Sequence, residues 1–225
     1  MGQLKRALII GASKGIGLAV VQQLLADGWE VTATYRSTAV SYQHEKLRWM
    51  PLDITIATQR EHLLQQLKGE QFDRALINAG ILGPDSMELI ATRDDELMQL
   101  FMTNSVAPIR MAESLLPLLQ EKQGVLGITT SRLGSLTENP EALRPYYSAS
   151  KIALNMLSRA LVQQMASRGT TLLSLHPGWV KTDMGGDDAD ITAVESAQGL
   201  VAQMDSFAGQ GGHHYVDYSG RVLAW

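Results

Sequence analysis

Residues 7–17 read ALIIGASKGIG, and this stretch decides the fold. The run Ala7–Ile10 is short and apolar, which predicts a buried strand. The residues that follow have a helical period, which predicts a helix over Gly15–Ala26. Between the strand and the helix the glycines are spaced G-x-x-x-G-x-G, at Gly11, Gly15 and Gly17.

The alternation of strand and helix continues along the whole chain. Further strands are predicted at Val31–Tyr35, Leu47–Leu52, Ala75–Ile77, Val125–Thr130, Thr171–Leu175 and Tyr215–Val216. Helices are predicted at Ile56–Leu67, Glu96–Gln120, Tyr147–Arg168 and from Thr192, where Thr192 and Glu195 have capping-box spacing. Such alternation is typical of right-handed crossovers. We therefore expect residues 1–225 to form a single α/β domain, a doubly wound parallel sheet with helices on both faces.

Composition excludes several classes of function. The 225 residues include 19 Lys and Arg against 23 Asp and Glu, and this net charge of −4 argues against nucleic-acid binding. With no cysteine, disulfides and thiolate chemistry are excluded, and a cytoplasmic location is expected. No uncharged apolar run approaches ~18 residues, and residues 1–6 do not begin a signal peptide, so no membrane association is expected.

Three irregular stretches follow predicted strands: Ser37–Lys46, Ser131–Tyr146 and Pro177–Ile191. In open α/β sheets, ligands bind beyond the carboxyl ends of the strands. These stretches are therefore expected to surround the binding site.

The glycine turn has two interpretations. Glycines there would let the backbone approach a phosphate at a helix N-terminus, or they would merely permit a tight connection. No Gly-Lys-Ser/Thr sequence follows, which argues against a nucleoside-triphosphatase loop. Its position on the first strand–helix junction favours the phosphate site.

The end of the second predicted strand indicates which nucleotide binds. An acidic residue there would bind the ribose 2′-hydroxyl of NAD, but the strand ends at Tyr35 and Arg36 follows. A guanidinium can donate two parallel hydrogen bonds to a 2′-phosphate, and Lys14 adds a second cation. We predict NADP(H) as the cofactor; the alternative is that both side chains are ordinary solvated bases.

Tyr147 and Lys151 lie four residues apart at the start of a predicted helix, on one face. A nearby ammonium stabilises a phenolate, so such a pair can act as an acid–base group. The same spacing is also common in surface pairs without any function.

Five segments, taken together, resemble the short-chain dehydrogenase/reductase family. They are the glycine turn, Asp53 after the third strand, Asn78-Ala79-Gly80 after the fourth, Ser131 before Tyr147 and Lys151, and Pro177-Gly178 after the sixth. The segments SRLGS at 131–135 and PGWVKTDM at 177–184 resemble the C-factor-like and sniffer-like carbonyl reductase branch.

The resemblance implies a Rossmann-type domain that transfers hydride between a nicotinamide and a small carbonyl or alcohol substrate. It implies that Tyr147 is the general acid, that Lys151 binds the nicotinamide ribose and lowers the pKa of Tyr147, and that Ser131 binds the substrate oxygen. It also implies these cofactor contacts: Gly11, Ser13, Lys14, Gly15, Ile16 and Gly17 in the turn; Arg36, Asp53 and Ile54 at the adenosine; Asn78, Ala79 and Gly80 along the groove; and Tyr147, Lys151, Pro177, Gly178, Val180 and Thr182 toward the nicotinamide.

A second serine is also a candidate for the catalytic position. Family members place it about twelve residues before the tyrosine, which would select Ser135 rather than Ser131. We choose Ser131 because it follows the predicted strand directly and has a glycine three residues later, as in the family.

Pro108 lies four residues after Asn104 in a predicted helix. Because proline lacks an N–H, the helical hydrogen bond to the Asn104 carbonyl cannot form. In the family the corresponding carbonyl holds a water that links the catalytic lysine to solvent, so Asn104 joins the catalytic set. The alternative is a packing kink.

No metal site is predicted, because the histidines lack ligand spacing and Asp187, Asp188 and Asp190 fit a solvated loop. The apolar surface of the helix Tyr147–Arg168 exceeds one stripe, which favours a homodimer or homotetramer over a monomer. Two functions remain open: an NADPH-dependent carbonyl reductase, or an NADP(H)-binding sensor or signalling protein without physiological turnover.

Overall fold

A computed structural model describes residues 4–37, 40–84 and 89–225, and within them one sheet of seven parallel strands runs through the fold. Residues 1–3, part of the amino-terminal stretch analysed above, and residues 38–39 of the Ser37–Lys46 stretch lie outside the described residues. The strands are β1 (Arg6–Ile10), β2 (Glu30–Tyr35), β3 (Leu47–Pro51), β4 (Arg74–Ile77), β5 (Val125–Thr129), β6 (Thr171–His176) and β7 (His213–Asp217). Their order is β3-β2-β1-β4-β5-β6-β7, which confirms the predicted doubly wound sheet.

Helices connect the strands. The α-helices are α1 (Gly15–Ala26), α2 (Ala57–Gln66), α3 (Asp94–Phe101), α4 (Ala107–Leu115), α5 (Pro145–Ser158), α6 (Val162–Ala166) and α7 (Ala193–Ser206). Short 3₁₀ turns lie at Leu89–Ala91, Leu116–Leu118, Arg132–Gly134 and Arg159–Leu161, and a π-helical turn spans Met102–Val106. The predicted capping box is present at the start of α7, where Thr192 and Glu195 bond to each other's backbone N–H.

The helices cover both faces of the sheet. One hydrophobic core joins the sheet to α1 and α7 through side chains such as Leu24 and Leu200. The other joins it to α2, α4 and α5 through side chains such as Leu63, Met111 and Leu154. Burial on both faces explains why the central strands are apolar along their whole length.

The strand order reverses between β1 and β4. The chain leaves β1 for β2 on one side and later returns to β4 on the other, with Ile10 paired to Ile77 in the register. A crevice forms outside the carboxyl ends of strands at such a switch point. The glycine turn after β1 and residues 78–80 after β4 both lie there.

The prediction of one continuous helix over Glu96–Gln120 is wrong. It is divided into α3, the π-helical turn and α4, followed by a 3₁₀ turn. Pro108 gives the physical reason, since its missing N–H breaks the regular bonding pattern; the Ala107 N–H donates to the Met102 carbonyl, five residues back.

The helix predicted over Tyr147–Arg168 is also divided, and it begins two residues earlier, at Pro145. Proline suits the first helical turn because its missing N–H needs no partner there. The last strand is longer than predicted and spans His213–Asp217. Within the described ranges, no helix is long and apolar enough to cross a membrane.

Candidate active site

The glycine turn joins β1 to α1 and packs against the segment that follows β4. Gly11 and Gly15 have φ angles of +82° and +55°, in the left-handed region that favours glycine. A Cβ on Gly17 would lie 2.2 Å from the Gly11 carbonyl oxygen, and a Cβ on Gly11 would lie 2.7 Å from the Ala79 nitrogen. The backbone is therefore packed so closely that Gly11 and Gly17 leave no room for a side chain.

Hydrogen bonds from neighbouring strands fix the turn. The Asn78 side-chain amide donates to the Gly11 carbonyl at 3.0 Å and accepts from the Thr129 hydroxyl at 3.1 Å. The Gly11 N–H donates to the Thr34 hydroxyl at 2.9 Å. Thr34 and Thr129 were not predicted as site residues; the only signal was a polar residue at the end of an otherwise buried strand.

The start of α1 suits an anion. It has no side-chain cap and no acidic residue in its first turn, so the helix dipole and the first backbone N–H groups are not neutralised. Ser13 and Ile16 are half-buried beside this end, and Lys14 is exposed. These features fit the pyrophosphate of a dinucleotide.

The predicted adenosine contacts lie at the ends of β2 and β3. Arg36 is exposed directly after β2 and has no side-chain partner among the described residues. Asp53 follows β3, and its carboxylate accepts from the Thr55 N–H at 2.9 Å and the Thr55 hydroxyl at 2.6 Å. The neighbouring Ile54 is buried, with 4% of its surface exposed.

Lys14 has an ion-pair partner that the sequence did not reveal. Its ammonium lies 2.6 Å from the Asp183 carboxylate, which belongs to the stretch Pro177–Ile191. Both side chains are exposed, so the pair is screened by solvent and adds little stability. A bound 2′-phosphate would compete with Asp183 for this cation.

Tyr147 and Lys151 occupy the first turns of α5, on the face directed to the sheet. Lys151 is 4% exposed, its ammonium donates to the Thr129 carbonyl at 3.0 Å, and it lies 5.8 Å from the centre of the Tyr147 ring. The Ser131 side chain lies close enough to the Tyr147 phenol to lower its pKa. The three predicted catalytic side chains therefore meet at the carboxyl end of β5.

Burial has the largest effect on the pKa of both Tyr147 and Lys151, and the expectation that Lys151 lowers the pKa of Tyr147 stays a prediction. Burial raises the pKa of Tyr147 to about 12, against the smaller lowering effects of the Ser131 hydrogen bond and the Arg144 charge. Burial also lowers the pKa of Lys151 to about 8. Removal from water therefore shifts each group toward its neutral form relative to the same group in solvent.

The turn after β5 brings Ser131, not Ser135, to the tyrosine. The Ser135 hydroxyl instead accepts from the Glu138 N–H at 3.1 Å. The glycine that supported the choice of Ser131 is required for packing: a Cβ on Gly134 would lie 2.9 Å from the Lys151 Cβ. The spacing from Ser131 to Tyr147 exceeds the usual family spacing by four residues, and these residues lengthen the loop between this turn and α5.

Asn104 lies in the π-helical turn and is fully buried. Its side chain holds the chain after β4: Oδ1 accepts from the Ile81 N–H and Nδ2 donates to the Ile81 carbonyl, each at 2.8 Å. A Cβ on Gly80 would lie 3.3 Å from Asn104 Oδ1 and 3.6 Å from Lys151 Nζ. The structure thus places Asn104 and Gly80 beside Lys151.

The segment after β6 folds back on itself. Gly178 has a φ of +89°, and the Lys181 N–H donates to the Ile191 carbonyl at 2.8 Å. The Thr182 hydroxyl accepts from the Gly185 N–H at 3.1 Å, and its methyl lies 3.3 Å from where a Cβ on Gly15 would be. Pro177, Gly178, Val180 and Thr182 are therefore on a fold that reaches the glycine turn.

Arg144 is a further residue that sequence reasoning missed. It precedes α5 with a left-handed φ of +48°, and its positive charge lowers the pKa of Tyr147. No sequence pattern marked it. Among the residues that the structure describes, no group of three or more His, Asp or Glu side chains could hold a metal ion.

Comparison with known proteins gives the family. The short chain dehydrogenase family matches residues 5–193. The C-signal of Myxococcus xanthus is 35% identical over 133 residues, which cover 58% of this chain and 79% of that protein.

Two solved structures share the fold over nearly the whole length. A short-chain dehydrogenase/reductase from Burkholderia multivorans with bound NADP is 33% identical, with a TM-score of 0.94 over 99% of this chain and all of that one. The carbonyl reductase Sniffer of D. melanogaster is 28% identical, with a TM-score of 0.89 over 99% of this chain and all of that one. These similarities confirm the resemblance to the carbonyl reductase branch, and the chain belongs to the short-chain dehydrogenase/reductase family.

Proposed function

We propose that the protein is an NADP(H)-dependent oxidoreductase that reduces a carbonyl group of a small molecule to an alcohol. One observation carries the proposal: the Tyr147 phenol, the Ser131 side chain that lowers its pKa, and the buried Lys151 one helical turn further along lie together at the carboxyl end of β5. The similar protein from Burkholderia multivorans has NADP bound, and the similar Sniffer is a carbonyl reductase.

The residues of the crevice fit the cofactor. The uncapped start of α1 would hold the pyrophosphate, and Arg36 with Lys14 would hold the 2′-phosphate. Asp53 and Ile54 would contact the adenine, and Lys151 and Thr182 the nicotinamide end. When bound, NADPH supplies the hydride for the carbonyl carbon.

Tyr147 and Ser131 act on the carbonyl oxygen. The Ser131 hydroxyl donates a hydrogen bond that orients the substrate, and Tyr147 gives its phenolic proton to the oxygen as the hydride reaches the carbon. With a pKa of about 12, Tyr147 holds its proton at neutral pH. Carbonyl reduction needs this protonated phenol, whereas alcohol oxidation needs the phenolate.

Lys151 returns the proton to Tyr147. Its pKa of about 8 lets it gain and lose a proton near neutral pH. We propose that the Asn104 carbonyl, which has no N–H of Pro108 to accept from, holds the water that links Lys151 to solvent.

The test is NADPH consumption with a panel of aldehydes and ketones. Tyr147→Phe should lower turnover by roughly 10²–10⁴-fold, because a general acid contributes that much, while NADPH still binds. Tyr146→Phe is the matched control, since that phenol donates to the Leu89 carbonyl instead. Wild-type turnover by Tyr147→Phe would refute the proposal.

The similarity to the C-signal supports a second candidate, an NADP(H)-binding signalling protein. The two functions differ in what Tyr147→Phe does in the cell: a signalling protein would keep its biological role, and an enzyme would lose it.

We also propose a homodimer or homotetramer. On α5, Leu154 is buried, but Met156 and Leu157 remain 64% and 39% exposed. Exposed apolar side chains on one helix face favour burial against another copy. Light scattering of the purified protein tests this, and a monomer at all concentrations would refute it.

A further inference from the structure

Tyr215 connects the last strand to the proposed catalytic serine. It lies in the middle of β7 and is 1% exposed. Its phenol donates to the Ser131 carbonyl at 2.5 Å, across 84 residues of sequence. A buried hydroxyl usually forms a hydrogen bond, and the acceptor here belongs to the turn that carries the proposed catalytic serine.

The Ser131 carbonyl accepts two hydrogen bonds. One comes from Tyr215, and the other from the Gly134 N–H at 2.8 Å, which closes the turn. The Ser131 hydroxyl accepts from the Leu133 N–H at 3.2 Å. Since the peptide group and the side chain of Ser131 are joined by few rotatable bonds, a shift of the carbonyl moves the hydroxyl relative to Tyr147.

The Tyr215 ring is itself held by the segment that follows β7. The Trp225 ring packs on it with centroids 5.0 Å apart, and Arg159 lies 4.9 Å above the Trp225 ring. The Leu223 N–H donates to the Tyr215 carbonyl at 2.8 Å.

A second contact ties this segment to the loop beyond Ser131. The Arg221 guanidinium lies 3.1 Å from the Glu138 carboxylate and 3.3 Å from the Asp217 carboxylate. Residues 215–225 therefore contact the Ser131 loop at three places: the Tyr215 phenol, Arg221, and the Trp225 carbonyl, which accepts from the Thr137 hydroxyl.

We propose that Tyr215 is a positioning residue, whose phenol holds the peptide group of Ser131 so that the Ser131 hydroxyl faces Tyr147 and the substrate carbonyl. This inference rests on the proposed function. Tyr215 acts through Ser131 and touches neither substrate nor cofactor in this role.

The test compares Tyr215→Phe, which removes one oxygen and keeps the ring, with Ser174→Ala. Ser174 is buried on β6, and its hydroxyl lies 3.0 Å from His213 Nε2 on β7. Ser174→Ala therefore removes another side-chain hydrogen bond made by β7, and it leaves the hydrogen bonds of Ser131 in place. Both variants are measured for melting temperature, turnover and hydrogen exchange.

We expect Tyr215→Phe to lower kcat by about tenfold, with the KM for NADPH unchanged, because a small misplacement at a reacting centre is costly. Amide exchange in residues 131–135 should accelerate, since the turn loses an anchor. The rise of alcohol oxidation with pH should move to higher pH, because a displaced Ser131 side chain would lower the pKa of Tyr147 less. Ser174→Ala should show none of these three changes.

Equal kcat and equal exchange at 131–135 in the two variants would overturn the inference, whatever their melting temperatures. Tyr147→Phe, run in parallel, separates this from failure of the proposed function. If Tyr147→Phe keeps full turnover, the proposed function fails and the positioning role fails with it. If Tyr147→Phe is inactive and Tyr215→Phe matches wild type, only the positioning role fails.

Discussion

Ser131 and Ser135 lie close together and have the same side chain, but they make different contacts. Both are buried in one short turn after β5. The Ser131 side chain lowers the pKa of the Tyr147 phenol, whereas the Ser135 hydroxyl accepts a hydrogen bond from the Glu138 N–H. Residue spacing alone favours Ser135, and backbone geometry favours Ser131.

Replacing each serine by alanine tests this assignment. Ser131→Ala should lower turnover by roughly 10²-fold, since it removes a donor to the substrate oxygen. Ser135→Ala should keep turnover and lose about 1 kcal/mol of unfolding free energy with its hydrogen bond. Steady-state kinetics and urea unfolding measure both, and the opposite pattern of turnover would assign the role to Ser135.

Among the elements, the interrupted helix from α3 to α4 matters most for the site. The π-helical turn directs the Asn104 amide to Ile81 and places it beside Gly80 and Lys151. Pro108 removes the N–H that a regular helix would offer to the Asn104 carbonyl. π-helical turns inside α-helices are frequent at functional sites.

Pro108→Ala restores that N–H. We expect the turn to become more regular and the Asn104 carbonyl to be occupied, so that turnover falls several-fold through slower return of the proton to Tyr147. Pro117→Ala, in the exposed 3₁₀ turn after α4, should not change turnover. Equal turnover in wild type and Pro108→Ala would contradict a role for the free carbonyl.

At the scale of the whole molecule, two half-buried histidines near the β7 edge of the sheet, His176 and His213, make the stability depend on pH. Burial lowers the pKa of His176 and of His213 to about 4, with a smaller contribution from the charges of Arg132 and Arg159 respectively. Above pH 6.5 the folded and unfolded chains both hold these histidines neutral. Below it the unfolded chain takes up protons first, so stability is lost between pH 6.5 and 4.

Each of these histidines should contribute a slope of at most about 1.4 kcal/mol per pH unit in that window. His176→Gln should flatten the fall in unfolding free energy between pH 6.5 and 4, and the exposed His62→Gln should not. Urea unfolding at several pH values measures the slope. An unchanged slope in His176→Gln would show that this histidine is not buried in its neutral form.

The sequence predicted the sheet because each strand is a short apolar run, and it predicted the glycine turn because only glycine fits there. It predicted Tyr147, Lys151 and Ser131 through the family resemblance. It did not predict the division of Glu96–Gln120, since helical periodicity continues through Pro108. Tyr215 and Asp183 were missed because their partners, Ser131 and Lys14, are distant along the chain. The pKa of Tyr147 could not be predicted because it depends on burial, which residue spacing does not show.

The measurement that tests the account most directly is a titration of the protein with NADPH and with NADH, followed by tryptophan fluorescence, in wild type and Arg36→Ala. The account predicts tight binding of NADPH and weak binding of NADH to wild type. It predicts that Arg36→Ala weakens NADPH much more than NADH, because only NADPH carries the 2′-phosphate. Equal losses for both cofactors would contradict the role of Arg36, and binding of neither to the folded wild-type protein would contradict the whole mechanism.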